Sequence, residues 1–166
     1  MNQDKEEIAL ISSESTPVKI NAKALGRSKF IKDFLKDFPE DSIKLGTINY
    51  KTLLKIKEYL EHYEDSEPKE IRLPLPKKNF KNIVDTWDYN FINLPNETIF
   101  EIMLAANFMD IKPLLDLTCA KIASEITGKN SQQIRDLFKM GKDCDIDESD
   151  NKVENEIENK KIFLTF

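Results

Sequence analysis

Apolar residues recur along this chain at two different periods. Near the start they alternate. Ile8 to Ile11 and Val18 to Ile20 read as two short strands, joined through the turn residues of Ser12 to Pro17. Pro17 has no N–H to give to a sheet, so it belongs at a strand start or edge. From Ala22 to Phe38 the period lengthens to that of a helix, with Gly26 and Ser28 marking a break between two short helices. Phe30, Ile31, Phe34, Leu35 and Phe38 recur at spacings of three and four and are expected to form a buried face. Pro39 ends that run. Ile43 to Leu45 suggests a third short strand. Tyr50 to Tyr63 is an amphipathic helix with Leu53, Ile56, Leu60 and Tyr63 as its stripe; Lys51, Lys55 and Lys57 are expected to face solvent.

Glu64 to Asp85 loses the pattern. It holds Pro68, Pro74, Pro76 and many charges, so it reads as a linker, in which Ile71 to Pro76 could lie extended along a surface. Helical spacing then returns. Pro95 and Pro113 each suit the first turn of a helix, where a missing N–H leaves nothing unpaired. Ile99 to Phe108 is apolar nearly all round, which predicts a central helix. In Pro113 to Ile126, the residues Leu115, Cys119, Ile122 and Ile126 form one stripe, and Gly128 sits where a C-terminal cap belongs. Asn130 with Gln133 resembles a capping box, opening a helix whose inner face is Ile134, Leu137 and Phe138. Asp145 with Glu148 could open a last helix in the same way. The chain closes on an apolar end, Ile162-Phe163-Leu164-Thr165-Phe166.

Composition narrows the function classes. The chain has 166 residues, 40% hydrophobic and 33% charged, ordinary values for a globular protein with one sizeable core. A net charge of −5 and no basic stripe argue against a nucleic-acid partner. The longest apolar run, Ile102 to Ala106, is too short to cross a bilayer, so no membrane role is expected. The opening residues lack an apolar signal core. Cys119 and Cys144 make neither a disulfide framework nor a metal cluster, so a reduced, intracellular protein is expected.

Candidate chemistry is sparse. His62 is the sole histidine, and general acid–base work needs an oriented partner for it. Cys119 lies among leucine, threonine and alanine, where cysteine behaves as a small hydrophobe rather than a nucleophile. The acidic stretch Asp143 to Glu158 lacks calcium-loop spacing, and four scattered glycines make no phosphate loop. Trp87-Asp88 followed by Phe91 has two readings: a core anchor that pins the linker, favoured here, or part of a partner site. Several apolar helices with no chemistry between them point to a surface built to receive another protein. No enzyme activity, metal or cofactor is expected.

The strings themselves resemble one family. Ile8 to Ser13, Trp87-Asp88-Tyr89-Asn90-Phe91, Thr98 to Glu101, Ala105 to Lys112, Leu114 to Cys119, Gly128-Lys129, Ile134-Arg135 and Phe138 follow in order, over about residues 8 to 148. Together they resemble the Skp1 family, adaptor subunits of SCF-type ubiquitin ligases. The resemblance implies an α+β, mostly helical BTB/POZ fold: a small three-stranded sheet against helices, then Skp1-type C-terminal helices. It divides the chain into 1–67, the N-terminal part of that fold; 68–86, a variable linker; 87–128, its C-terminal helices; and 129–166, the closing helices and a divergent tail.

By position, the resemblance places Asn107 and Phe108 at a cullin-binding site. It places Leu115, Cys119, Ile122, Ile126, Ile134, Phe138 and Met140 at an F-box-binding site. Partners would be F-box proteins and a cullin N-terminal domain, in cytoplasm and nucleus. The chain departs from the family where Phe108 replaces a tyrosine and Ser131 a proline. Cys144 replaces a phenylalanine, and Glu156 to Phe163 replaces a tryptophan-cysteine ending. An alternative role is an F-box partner outside ubiquitin ligases, with the cullin site unused. The apolar groove and end also suggest a weak homodimer.

Overall fold

A computed structural model describes residues 7–38, 41–71 and 80–138. The N-terminal part is a three-stranded sheet: β1 (Glu7–Ile11), β2 (Pro17–Asn21) and β3 (Ser42–Lys44), in the order β2-β1-β3. β1 pairs antiparallel with β2, Leu10 opposite Val18, and parallel with β3, Leu10 opposite Ile43. The alternation works as expected. Ile8, Leu10, Val18, Ile20 and Ile43 all point into the core, and the other face of each strand is more exposed. Pro17 starts the edge strand β2.

The helices expected from Ala22 to Phe38, Tyr50 to Tyr63 and after Pro95 are present, and the short helix Thr86–Phe91 is one the spacing did not predict. α1 (Ala22–Leu25) is capped by Asn21, and α2 (Lys29–Asp37) by Ser28, whose side chain accepts from the Ile31 N–H. The break around Gly26 and Ser28 thus reflects a new cap. α3 (Tyr50–His62) is capped by Asn49 and buries Leu53, Ile56, Tyr59 and Leu60. α4 (Thr86–Phe91), α5 (Asn96–Phe108) and α6 (Lys112–Ile126) complete the core, with α5 and α6 packed on each other. α7 (Ser131–Leu137) belongs to a second compact unit that begins at Gly128. The chain is α+β and mostly helical, as the sequence indicated. Pro39, most of Ile71 to Pro76, the helix expected after Asp145 and the apolar end lie outside the described residues.

Three expectations need correction. In α2 only Ile31 is buried; Phe30, Phe34 and Leu35 are half-buried, and Phe38 is 56% exposed. The helix touches the core through one edge. Its aromatic rings instead pack against one another at a tilt, with centroids 6.2 Å apart for Phe30–Phe34 and 5.3 Å for Phe34–Phe38. α5 is not central on all sides: Ile99, Ile102, Ala105 and Ala106 face inward, but Leu104 is 66% and Phe108 45% exposed. The last part of the expected linker belongs to the core, because Phe80 and Val84 are buried. Phe80 opens a single 3-10 turn, Phe80–Asn82, packed on α6. The charges around Phe80 obscured it in the sequence.

An aromatic cluster locks α4 to α3. Trp87 stacks on His62 at 3.6 Å and on Phe91 at 5.0 Å, and meets Tyr63 edge-on. This is the anchor role expected of Trp87. Arg27 ties down the segment after α3, donating to the carbonyls of Tyr63 (2.6 Å) and Ser66 (2.5 Å). Beneath the cluster, Asp88 is buried and accepts from the Tyr63 hydroxyl at 2.8 Å.

Burial raises the Asp88 pKa, and the Tyr63 hydrogen bond opposes that rise. A carboxyl raised in the folded state favours folding while protonated, and that contribution fades as pH climbs from the ordinary carboxylate range through the raised value. The Tyr63 bond offsets part of this loss, because it favours the charged form. Tyr63→Phe is therefore expected to destabilise the fold by about 1–3 kcal/mol at neutral pH and by less near pH 4. Urea unfolding at the two pH values checks this; an equal cost at both would contradict it.

Candidate partner-binding surfaces

Asn107 and Phe108 end α5, and both are exposed. The chain turns sharply there. The Met109 N–H donates to the Ala105 carbonyl (2.9 Å) and the Ile111 N–H to the Ala106 carbonyl (2.9 Å), while Asp110 takes a left-handed φ of 50°. The fully buried Ser28 hydroxyl donates to the Met109 carbonyl at 2.5 Å, which bonds this turn to the start of α2. The result places the Phe108 ring 5.0 Å from that of Phe30. Phe38, Phe34, Phe30 and Phe108 form a chain of ring contacts with exposed ends.

Beyond Phe108 lies an open pocket of about 200 Å³, bounded by Ile48, Leu104, Ala105 and Phe108 on its apolar side. Its polar side is held by hydrogen bonds. Asn49 caps α3 by accepting from the Thr52 N–H (2.8 Å), and Glu14, from the β1–β2 turn, accepts from the Tyr50 N–H (2.8 Å). The Glu14 and Tyr50 backbone N–H groups, its own foremost, keep the Glu14 carboxyl below its usual range, with desolvation opposing. Glu101 of α5 accepts from Thr52 Oγ1 (3.0 Å) and Asn49 Nδ2 (3.1 Å). The sequence reading missed Leu104, Glu101 and the start of α3 here. A signal existed: a helix apolar on all sides, in a small fold, has more apolar surface than one core can cover.

α6 has two apolar faces. Leu114, Leu117, Thr118 and Ala120 are buried in the core. Thr118 satisfies its hydroxyl within the helix, donating to the carbonyls of Leu115 (2.8 Å) and Leu114 (3.1 Å). The stripe read from the sequence runs along a different face. Cys119 is exposed, and Leu115, Ile122 and Ile126 are half-buried, with Leu115 and Ile122 resting partly on the core. The helix closes at Thr127, followed by Gly128 at φ 79°, a conformation that suits glycine.

α7 opens with the expected capping box: Asn130 Oδ1 accepts from the Gln133 N–H (2.9 Å), and Gln133 Oε1 from the Asn130 N–H (3.0 Å). It has no fully buried residue, and Ile134 and Phe138 are half-buried. Met140 lies outside the described residues.

Partial desolvation, then the Asp116 carboxylate, raise the Cys119 thiol pKa although its surface reaches solvent. Cys119 is thus held as a thiol at neutral pH. It is expected to react with iodoacetamide no faster than glutathione does; a rate about tenfold higher would mark an activated thiolate. Among the described residues no three His, Cys, Asp or Glu side chains gather as metal ligands. No described helix is long and apolar enough to cross a membrane.

The described residues form an α+β fold that leaves apolar side chains exposed on α2 and α5 and a half-buried apolar stripe, with Cys119 exposed, on α6. The family model for the Skp1 dimerisation domain matches residues 112–160. The chain is 38% identical over 145 residues to the S-phase kinase-associated protein 1 homolog of Tetrahymena thermophila, covering 86% of this chain and 87% of that one. It is 34% identical over 152 residues to the E3 ubiquitin ligase complex SCF subunit sconC of Arthroderma otae, covering 90% and 92%. The suppressor of kinetochore protein 1 of Schizosaccharomyces pombe is 35% identical over 158 residues, covering 90% and 95%. The chain belongs to the Skp1 family.

Proposed function

We propose that this chain is a non-catalytic adaptor of an SCF-type ubiquitin ligase with a BTB/POZ core, acting in cytoplasm and nucleus. The outward stripe of α6, with Ile134, Phe138 and Met140, takes the F-box of a substrate receptor. Asn107 and Phe108 take the N-terminal domain of a cullin. The observation behind this reading is the double face of α6: one apolar face serves the core and a second is left for another helix, a familiar mode of recognition. The names of the relatives support it, since one is called an SCF subunit. The adaptor contributes geometry and effective concentration, holding receptor and scaffold at a fixed spacing. With no partner present, self-association into a weak homodimer covers the same apolar surfaces.

The test is a pair of pull-downs with the full chain, one against an isolated F-box and one against a cullin N-terminal domain, then both together. A ternary complex is the expected result. F-box binding alone would replace this reading with a role outside cullin ligases. Binding to neither would reject it.

A further inference from the structure

The outward face of α5 changes character along its length. Glu97, Glu101, Leu104 and Phe108 follow at spacings of four, three and four, so two acidic positions lead into two apolar ones on one side of the helix. Glu101 is exposed. Both of its hydrogen bonds come from neutral donors and fall on the same oxygen, Oε2. The ion pairs among the described residues leave its charge unneutralised. The carboxylate is held in place on the same pocket that Leu104 and Phe108 line, and its second oxygen takes part in neither bond. At about 200 Å³ the pocket is smaller than the roughly 300–1,000 Å³ of small-molecule sites, so a single side chain suits it better than a cofactor.

We propose that the pocket receives a lysine or arginine side chain of the cullin-class partner. The aliphatic stem lies against Leu104 and Phe108, and the cationic head meets the free oxygen of Glu101. Long basic side chains combine an apolar stem with a charged tip, matching a pocket with one apolar wall and one anionic wall. The charge also selects against a partner that presents an acid at this point. Glu101 is then a specificity residue for the partner. This inference rests on the reading that Asn107 and Phe108 meet a cullin.

The test measures affinity of the full chain for a cullin N-terminal domain, and separately for an F-box, at about 0.05 M and about 0.5 M salt. Glu101→Gln keeps an acceptor for Asn49 and Thr52 and removes only the charge. It is expected to weaken cullin binding about five- to tenfold at low salt, with a much smaller difference at high salt and no change in F-box affinity. If Glu101→Gln binds like the parent chain while Phe108→Asp abolishes binding, the cullin reading stands and this inference falls. Equal weakening at both salts would also overturn it, since shape would then be responsible. If the parent chain does not bind the cullin domain, both fall together. Should Glu101→Gln disturb F-box binding as well, Leu104→Lys decides. A repelling cation on this exposed residue must weaken cullin binding more at low salt, and salt-independent weakening overturns the proposal.

Discussion

Phe108→Asp is expected to weaken binding to a cullin N-terminal domain by roughly 30- to 1,000-fold while leaving F-box binding and the melting temperature nearly unchanged. The size follows from the position of the ring. It lines the pocket and touches the Phe30 ring, at the end of α5 where the exposed apolar side chains of α2 and α5 meet. Central aromatic anchors typically contribute about 2–4 kcal/mol to an interface. An aspartate there adds the cost of desolvating a charge. The fold should tolerate the change because Phe108 is already 45% exposed and the turn after it is held by Ser28 and the backbone. Calorimetric titration against both partners checks this. Loss of both activities would show that Phe108 supports the fold rather than an interface.

Cys119→Glu is expected to do the converse, weakening F-box binding by about 2–3 kcal/mol, or roughly 30- to 150-fold, with cullin binding intact. Cys119 is the cleanest probe of the α6 stripe. Leu115 and Ile122 rest partly on the core, so a charge at either would mix lost binding with lost stability. Cys119 is exposed, and the Asp116 carboxylate one turn earlier gives the new charge no support. An unchanged F-box affinity would move the receptor site away from this helix face.

Much of the fold was legible because local rules decide it. The alternation in Ile8–Ile11, the capping box at Asn130, the new helix at Ser28 and the glycine after α6 depend on residues a few positions apart. Direction was harder than existence. Phe30, Phe34 and Phe38 have helical spacing, but spacing cannot say whether a core or solvent lies on that side. On α6 the spacing predicts one apolar stripe, and the structure adds a second. The one built from Leu114 and Leu117 enters the core partly because Thr118, a polar residue, can satisfy its hydroxyl on its own helix. Phe80 and Val84 were hidden by charged neighbours. Of the candidate binding surfaces, the α6 stripe was visible as a pattern along the chain. The pocket beside Phe108 was not, since it joins Glu101 to Asn49 and Thr52 across about fifty positions.

The double use of α6 leaves little of that helix free to drift. Its inner side is committed to Leu114, Leu117, Thr118 and Ala120, and on the adaptor function proposed above its outer side is committed to Leu115, Cys119, Ile122 and Ile126. What remains is a narrow margin around Lys112, Asp116 and Ala123. Diversification of receptor preference therefore has little room on α6 and must fall on elements with fewer obligations to the core. α7 is such an element: a short helix with no fully buried residue, opened by its own capping box.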